Sequence, residues 1–412
     1  MKGNVVRMIG RLGSALAMLA ALMFSSILHA QDGGIADAPG DVTGVSRAFN
    51  PAISINGLFL GNVMLGGEEG HHHEENGHHD EENGHHDEEN GHEEENGHEE
   101  DGHGHEGHAH GAPIEDGWGV QEIEAQFTAF VDPHVKANVM LGMHGSAGFE
   151  LEEAYVLTLG MPADLALKAG KYFAAFGRHN QLHKHQFPFV EAPLVHESLF
   201  GEEALNEVGA ELSWLAPVDW YAELIGGVYN GDNPILFGSE ESWDLAYLGR
   251  LRNQLDINDA TTFEIGASAV FGSRTQEHLH DDIVEDVEES NSVFGVDARI
   301  KWKPLEAARH QMFVIAGEFL TGSVGEEDLS GGYALAQYQL TKGWLVEAGF
   351  DWLTEHEETA SRIRAVLAFI PTEFQLLRLQ FASASHPDEE DAENSVSLQY
   401  SFTIGSHPAH SY

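Results

Sequence analysis

The chain has 412 residues, with 68 acidic and 20 basic side chains, a formal net charge of −48 and no cysteine. This charge argues against nucleic acid or anionic lipid surfaces as partners and favours cationic ones. The lack of cysteine excludes disulfides, thiol catalysis and thiolate metal sites. Neither a Gly-x-Ser-x-Gly nor a His-Glu-x-x-His motif occurs, so we expect no enzyme activity.

The first thirty residues have the order of a secretory signal peptide. Lys2, Arg7 and Arg11 precede an apolar run, Leu12–Phe24, and the small-residue end lies at Ala30. We therefore predict a signal peptide over residues 1–30. The alternative is an N-terminal membrane anchor, but the apolar run is shorter than the roughly 20 residues that a spanning helix needs.

Residues 68–111 form a low-complexity repeat whose units read Gly-His-His-Asp-Glu-Glu-Asn or a shortened version of it. The segment has almost nothing apolar to bury, so it is predicted to be disordered. Imidazole binds zinc, nickel and copper, and the neighbouring carboxylates add charge and oxygen ligands. We expect zinc or other divalent transition-metal ions to bind loosely to thirteen histidines: His71, His72, His73, His78, His79, His85, His86, His92, His98, His103, His105, His108 and His110. The alternative is a solvated acidic tract that binds metal only incidentally.

The remaining chain alternates apolar and polar residues with period two, as in Glu207–Trp214 and Phe294–Trp302. Runs of this length are typical of tilted transmembrane strands of about 9–11 residues, rather than of globular strands of about 5–6. Sixteen strands are predicted, at 49–63, 118–131, 134–143, 149–158, 164–175, 206–216, 219–231, 242–255, 261–273, 292–304, 311–322, 331–341, 344–356, 360–370, 373–385 and 395–404.

Short links between these strands alternate with generally longer ones, including 176–205, 274–291, 323–330 and 386–394. Short periplasmic turns and longer outer loops are the organisation of outer-membrane barrels. The sequence thus predicts an all-β fold: a transmembrane antiparallel barrel over 49–404, after a periplasmic segment at 31–48 and before a tail at 405–412. Residues 68–111 become the first extracellular loop. Outer-membrane lipid and the barrel assembly machinery are the expected partners. A soluble β-sandwich or β-solenoid does not explain the alternation of link lengths.

Several segments resemble a family of Gram-negative porin-like outer-membrane proteins: LEEAYVLTLGMPADLALKAGKYFAAFG at Leu151–Gly177, FNPAIS at Phe49–Ser54, FVEAPLVHESLFG at Phe189–Gly201, LSWLAP at Leu212–Pro217 and IGSHPAHSY at the end. The resemblance spans most of the chain but not the histidine repeat. Members are often labelled zinc-regulated outer-membrane proteins and sometimes TonB-dependent receptors. The second label does not suit this chain, because plugged transporters have about 22 strands and a plug domain.

Two further groups of candidate residues lie in the predicted barrel. On the other predicted outer loops, we expect metal ligands at His183, His185, His278, His280, Asp281 and Asp282. On the inward strand faces, rings of charged side chains can set ion selectivity. The predicted pore-lining residues are Glu122, Glu124, Glu211, Glu223, Arg250, Arg252, Asp297, Arg299, Lys301, Glu318, Glu347, Arg362, Arg364 and Arg378. The alternative is that these charges merely solvate the lumen.

These observations predict a passive outer-membrane porin whose histidine-rich loop gathers divalent cations, zinc foremost, at the pore mouth. One alternative is a general small-solute porin that uses the loop as a metal buffer or sensor. Another is a surface adhesin or metal-protection module without a transport role. The sequence leaves open which metal binds and whether the barrel forms a homotrimer.

Overall fold

A computed structural model of the chain describes residues 52–65, 116–144, 148–238, 244–280, 283–306, 311–325, 327–387 and 392–405, and for 276–280 and 283–288 it describes the backbone alone. The predicted signal peptide, the segment 31–48, the histidine-rich segment 68–111 and the tail after Gly405 lie outside these residues. So do the boundaries that were predicted between them.

Sixteen antiparallel strands follow one another around a closed ring, in which β1 pairs with both β2 and β16. This confirms the predicted fold. The strands are β1 (Ala52–Leu65), β2 (Gly117–Asp132), β3 (Val135–His144), β4 (Glu150–Thr158), β5 (Leu165–Phe173), β6 (Asn206–Leu215), β7 (Tyr221–Tyr229), β8 (Ala246–Asn258), β9 (Thr261–His280), β10 (Ile283–Trp302), β11 (Phe313–Val324), β12 (Glu327–Thr341), β13 (Trp344–Glu355), β14 (Glu358–Thr372), β15 (Gln375–Ser385) and β16 (Glu393–Gly405).

The barrel wall is apolar outside and polar inside. Leu251 is 46% exposed while its neighbour Arg250 is 4% exposed, and Ile363 is 59% exposed while Arg364 is 1% exposed. A closed barrel leaves no unpaired strand edge, so an apolar outer surface of this kind can lie in hydrocarbon. No helix in the described part of the chain is long and apolar enough to cross a membrane.

The two ends of the barrel differ in their links. The turn end carries both described chain ends and seven links, the shortest of which are 133–134, 259–260, 342–343 and 373–374. The loop end carries the other eight links, three of which, 281–282, 325–326 and 356–357, have only two residues each.

The predicted outer loop at 274–291 is wrong, because β9 and β10 pair through to His280 and Ile283. The predicted loop at 323–330 is likewise a tight turn, because β11 and β12 pair through to Val324 and Glu327. Strand pairing needs only backbone donors and acceptors, whereas an apolar outer face is needed only inside the membrane. The apolar alternation therefore stops before the strands do.

The link between β5 and β6, residues 174–205, folds into the barrel and is called the lumen loop below. It contains two 3-10 turns, His179–Gln181 and Lys184–Gln186, and one helix, α1 (Leu194–Phe200). The sequence had indicated an outer loop here. Instead, backbone N–H groups of the loop donate to distant parts of the wall: Gly177 to Ser268 on β9 at 3.0 Å, and Val190 to Gln380 on β15 at 3.0 Å.

An apolar core inside the lumen holds this loop. Six of the seven residues of α1 are buried. Leu199 and Phe200 pack in one cluster with Phe176 of the loop and with Leu236 and Phe237 of the β7–β8 link. Burying a large apolar side chain contributes about 1.5–3 kcal/mol, which accounts for a loop that enters the barrel rather than extending into water. The cluster covers the inner faces of β5 and of β7 to β13 toward the loop end.

Candidate functional site

Four carboxylates come together on the inner wall where the lumen loop meets β2 and β4. Glu122 and Glu124 lie two residues apart on β2, so both face inward, and they are 2% and 1% exposed. Glu152 and Glu153 of β4 are buried beside them.

Glu152 and Glu153 are consecutive, and a regular strand would point them to opposite faces. The register explains the exception: Met140 pairs with Glu153 and Leu141 pairs with Leu151, so Glu152 has no partner across the ladder. This is a β-bulge, which redirects a side chain at the cost of one backbone pairing. Gly142 makes room for the redirected carboxylate, because a Cβ there would lie 1.7 Å from Glu152 Oε1.

The second 3-10 turn of the lumen loop brings two histidines to these carboxylates. His183 Nδ1 lies 3.3 Å from Glu124 Oε1 and 3.7 Å from Glu152 Oε2, and His183 Nε2 lies 3.6 Å from Glu153 Oε2. His185 Nδ1 contacts the other oxygen of Glu124. The two imidazole rings stack with centroids 5.8 Å apart. Glu122, Glu124, Glu152, Glu153, His183 and His185 are called the His–carboxylate cluster below.

Two triads of this cluster have the composition of a metal site: Glu122, Glu124 and His185, and Glu124, Glu152 and His183. In each triad, one ligand atom from every residue lies within 4.8 Å of the others. Burial alone would lower the pKa of His183, but the neighbouring carboxylates of Glu124, Glu152 and Glu153 outweigh burial and raise the pKa well above its ordinary value. The surrounding carboxylates thus favour positive charge on this ring, whether a proton or a metal ion supplies it.

A second contact of the loop centres on Glu318 of β11. Its carboxylate accepts the backbone N–H groups of Arg178 and His179 at 3.2 Å each, and it lies 3.3 Å from His196 Nε2. The His179 and His196 rings are 4.8 Å apart. Burial, with the neighbouring His196 and the more distant Arg364 charge, lowers the pKa of His179 well below its ordinary value, so this ring is neutral at pH 7. Glu318 therefore fixes the start and the helix of the loop to one point on the wall.

Three arginines of β14 and β15 hold the middle of the loop. Arg362 donates to Ala192 O at 2.5 Å, Arg364 to Glu191 O at 3.0 Å and Arg378 to Phe187 O at 2.7 Å. Asp351 of β13 balances the first two, at 3.0 Å from Arg362 and 2.7 Å from Arg364.

Glu197 of α1 lies among these same charges. Burial raises the pKa of Glu197 to about 7, Arg362 opposes the rise, Glu191 and Asp351 add to it, and Arg364 lowers it slightly. Its Oε2 atom is buried and accepts no hydrogen bond from the described residues. The carboxyl group is therefore close to half protonated at neutral pH in the docked loop.

The fourteen predicted pore-lining side chains all lie on the inner face of the wall; Glu223, Arg252 and Lys301 are the least buried of them and border cavities. Among those that contact the lumen loop are Glu124, Glu211, Glu318, Arg362, Arg364 and Arg378. Others pair within the wall, such as Arg250 with Asp297 at 3.3 Å and Arg299 with Glu264 at 3.4 Å. Their part in ion selectivity stays a prediction.

Two cavities lie between the lumen loop and the turn end. The larger has a volume of about 610 Å³ and is bordered by His183, Glu153, Lys136, Arg250 and Arg252. The smaller, about 380 Å³, is bordered by Arg299, Lys301, Glu347 and Arg378 and by apolar side chains including Phe187. Both reach His185 and Gln186, so the His–carboxylate cluster stands beside water-accessible space.

The predicted metal ligands have different outcomes. The thirteen histidines of 68–111, with Asp281 and Asp282, lie outside the described residues, and only the backbone of His278 and His280 is described, at the end of β9. His183 and His185 were expected on an outer loop; that placement is wrong, because the lumen loop carries them inside. Sequence reasoning missed Glu152 and Glu153. The acidic doublet interrupts the alternation of β4, but the bulge itself follows only from the register with β3.

No family model matches the chain. An uncharacterized protein of Aquifex aeolicus (strain VF5) is 29% identical over 342 residues, which cover 72% of this chain and 70% of that protein.

Among solved structures, OprB of Pseudomonas putida superposes with a TM-score of 0.58 at 9% identity, covering 87% of this chain and 94% of that one. OmpF of Salmonella typhi (TM-score 0.55) and the outer membrane channel DcaP of Acinetobacter baumannii (TM-score 0.52) are each 10% identical and cover 87% of this chain and 99% of theirs. Identities this low show the fold alone. The chain has the closed barrel fold of outer-membrane porins.

Proposed function

We propose that the chain is an outer-membrane channel through which divalent cations, zinc foremost, diffuse down their gradient, and that the histidine-rich segment 68–111 gathers them at the outer mouth. The observation that carries the proposal is the His–carboxylate cluster at the place where the lumen loop crosses the barrel. Four carboxylates and two imidazoles meet there, and Glu153, His183 and His185 of the cluster border a water-accessible cavity.

The chemistry of the cluster supports this class of solute. Carboxylates that line a low-dielectric cleft raise the local concentration of cations. Imidazole adds preference for zinc, nickel and copper over the harder magnesium and calcium ions. Conduction also requires that an ion leave again, so the ligands in the path must exchange it readily. Loosely held ions on a repetitive outer segment suit that requirement.

Ion selectivity in planar lipid bilayers tests the channel. The reversal potential under a salt gradient should show cation preference, and the double variant Glu153→Gln/Glu223→Gln should reduce it because two carboxylates that border the larger cavity are gone. The matched control is Glu357→Gln/Glu358→Gln, which removes the same charge from an exposed turn at the loop end. Equal reversal potentials in the lumen variant and the parent would refute a cation path along this wall.

Zinc accumulation by cells tests the role of the outer segment separately. Deletion of residues 68–111 should lower accumulation in chelator-treated medium and leave it unchanged at ample zinc, because capture matters only when ions are scarce. Accumulation equal to that of the full-length protein in depleted medium would remove the capture role and leave the channel.

A general small-solute porin, with the outer segment as a metal buffer or sensor, is the second candidate. The smaller cavity favours it, because Arg299, Lys301 and Arg378 stand among apolar side chains there and suit organic anions. Liposome swelling with neutral and anionic solutes separates the two. Fast entry of both, with no preference for cations in the bilayer measurement, would favour this candidate.

A further inference from the structure

We propose that Glu124, Glu152 and His183 bind one divalent transition-metal ion inside the barrel, and that this ion ties the lumen loop to the wall. Zinc fits the ligand set, with two carboxylates and one imidazole. The inference goes beyond uptake, since a metal ion held there would fix the position of the loop whichever solute passes. The proposed ligands are also separate from the histidines of the segment 68–111.

The distances between the ligand atoms match two ligands of one ion better than they match a hydrogen bond. His183 Nδ1 lies 3.3 Å from Glu124 Oε1 and 3.7 Å from Glu152 Oε2. A charge-assisted N–H···O bond is shorter, about 2.7–2.9 Å. Two ligands that are each about 2.0–2.1 Å from a tetrahedral zinc ion lie roughly 3.3 Å apart. The three residues each offer one ligand atom within 4.8 Å of the others, which is the spacing of a metal site.

The buried oxygen of Glu124 is the second observation. Glu124 is 1% exposed, and its Oε1 atom accepts no hydrogen bond from the described residues, although it faces His183 Nδ1. Its other oxygen is engaged, by Asn56 Nδ2 at 3.4 Å and by His185. A buried carboxylate oxygen without a donor is costly, and a metal ion at this point would supply the missing partner.

Groups around these ligands have the arrangement of an outer shell. A histidine that binds a metal through one nitrogen is usually oriented by a carboxylate at the other. Glu153 Oε2 faces His183 Nε2 at 3.6 Å, and Asn138 Nδ2 donates to the same Glu153 oxygen at 3.2 Å. Asn138 Oδ1 in turn accepts from Gln126 and Thr128 of β2, at 2.9 and 2.7 Å.

The ion would join three segments that are distant in sequence: β2 through Glu124, β4 through Glu152 and the lumen loop through His183. An ion that binds only the docked arrangement stabilises it by mass action. The bulge that turns Glu152 inward, with the space left at Gly142, is therefore the feature of the wall that completes the site.

Metal titration of the purified full-length barrel tests the inference, with the thirteen histidines of 68–111 replaced by Gln to remove their background. Zinc competition against a chromophoric chelator should give one tightly bound ion per chain. His183→Asn should weaken it by about 100-fold or more, and the outer-shell variant Glu153→Gln by about 10-fold. His356→Asn is the matched control, because His356 stands with Glu327 and Glu355 in an exposed group of the same composition.

Heat-modifiable migration on gels shows which variants are folded, and Gly142→Ala gives a further test that changes no ligand. Its Cβ displaces the Glu152 carboxylate, so zinc affinity should fall while the barrel still forms. Cobalt bound in place of zinc should give visible absorption typical of tetrahedral nitrogen and oxygen ligands, and lose it in His183→Asn. Equal zinc affinity in His183→Asn and His356→Asn would overturn the site.

A distance measurement tests the tie between loop and wall. Because the chain has no native cysteine, spin labels attach only at the two introduced positions, Gln181→Cys on the loop and Glu373→Cys at the turn end. Zinc should narrow their distance distribution, and His183→Asn should abolish the narrowing. Zinc binding that leaves the distribution unchanged would overturn the tie. A negative result in either test would not change the expected ion selectivity in bilayers or the capture of ions by 68–111. The proposed function is therefore tested by separate experiments.

Discussion

Replacement of Glu318 by alanine should release the lumen loop from the wall. This carboxylate accepts two backbone N–H groups, from Arg178 and His179, and contacts His196 Nε2 of α1. All three donors are inside the barrel, where an alanine offers them no acceptor. The barrel itself should still form, because the pairing of β11 with β10 and β12 uses backbone atoms only.

The magnitude follows from the three lost contacts. A buried donor left without an acceptor costs about 1–3 kcal/mol, so the docked loop should lose at least about 3 kcal/mol. Each 1.4 kcal/mol is about tenfold in an equilibrium constant, so the undocked fraction should rise by about 100-fold.

Chemical labelling measures that fraction. Ser198 of α1 is 8% exposed when the loop is docked, so a cysteine at this position can react with a thiol reagent only after undocking. Ser198→Cys should be labelled about 100-fold faster in the presence of Glu318→Ala, because the labelling rate is proportional to the undocked fraction. Glu223→Ala is the matched control, because that carboxylate also lies on the inner wall but accepts from Tyr221 within β7. An unchanged labelling rate in Glu318→Ala would refute the view that Glu318 anchors the loop.

Three further changes have defined outcomes. Because the pKa of Glu197 is raised from 4.5 to about 7, docking is most stable below pH 4.5 and loses stability as pH rises to about 7; labelling of Ser198→Cys, relative to an exposed cysteine at the same pH, should speed up between pH 4.5 and 7 and level off above, and Glu197→Gln should flatten that dependence. Gly177→Ala should also loosen the loop, since φ is +54° there and a Cβ would lie 1.6 Å from Glu318 Oε1; single-channel recordings should show more frequent conductance changes. Leu251→Arg places a charge on the lipid face and should cost about 2–4 kcal/mol near the bilayer centre, which refolding yield in vesicles would report.

The sixteen strands could be predicted because the membrane imposes one simple pattern on every strand. A lipid-facing residue must be apolar and its neighbours face the lumen, so alternation alone locates Leu251 outside and Arg250 inside. Link lengths were less predictable. Beyond the membrane β9 and β10 continue with polar residues, and backbone pairing leaves no periodic signature there.

The site itself was only partly predictable. His183 and His185 stood out as a pair of potential ligands, but the direction in which their loop folds depends on contacts with β2, β4, β11 and β13–β15 that no local pattern encodes. Glu152 faces inward only because the register with β3 skips it. A bulge is a property of two strands together, so a reading of one strand with period two assigns Glu152 and Glu153 to opposite faces.

The apolar core inside the lumen has an electrostatic consequence. Side chains such as Leu199, Phe200 and Phe237 fill the loop-end part of the barrel against β5 and β7–β13 with matter of low polarisability. Water, and any ion with it, remains in the larger cavity between the lumen loop and the turn end, where Glu153 and Glu223 stand. Low-dielectric walls focus the field of such charges into the remaining solvent. Added salt should therefore screen these carboxylates far less than it screens charges on the open rim of the barrel.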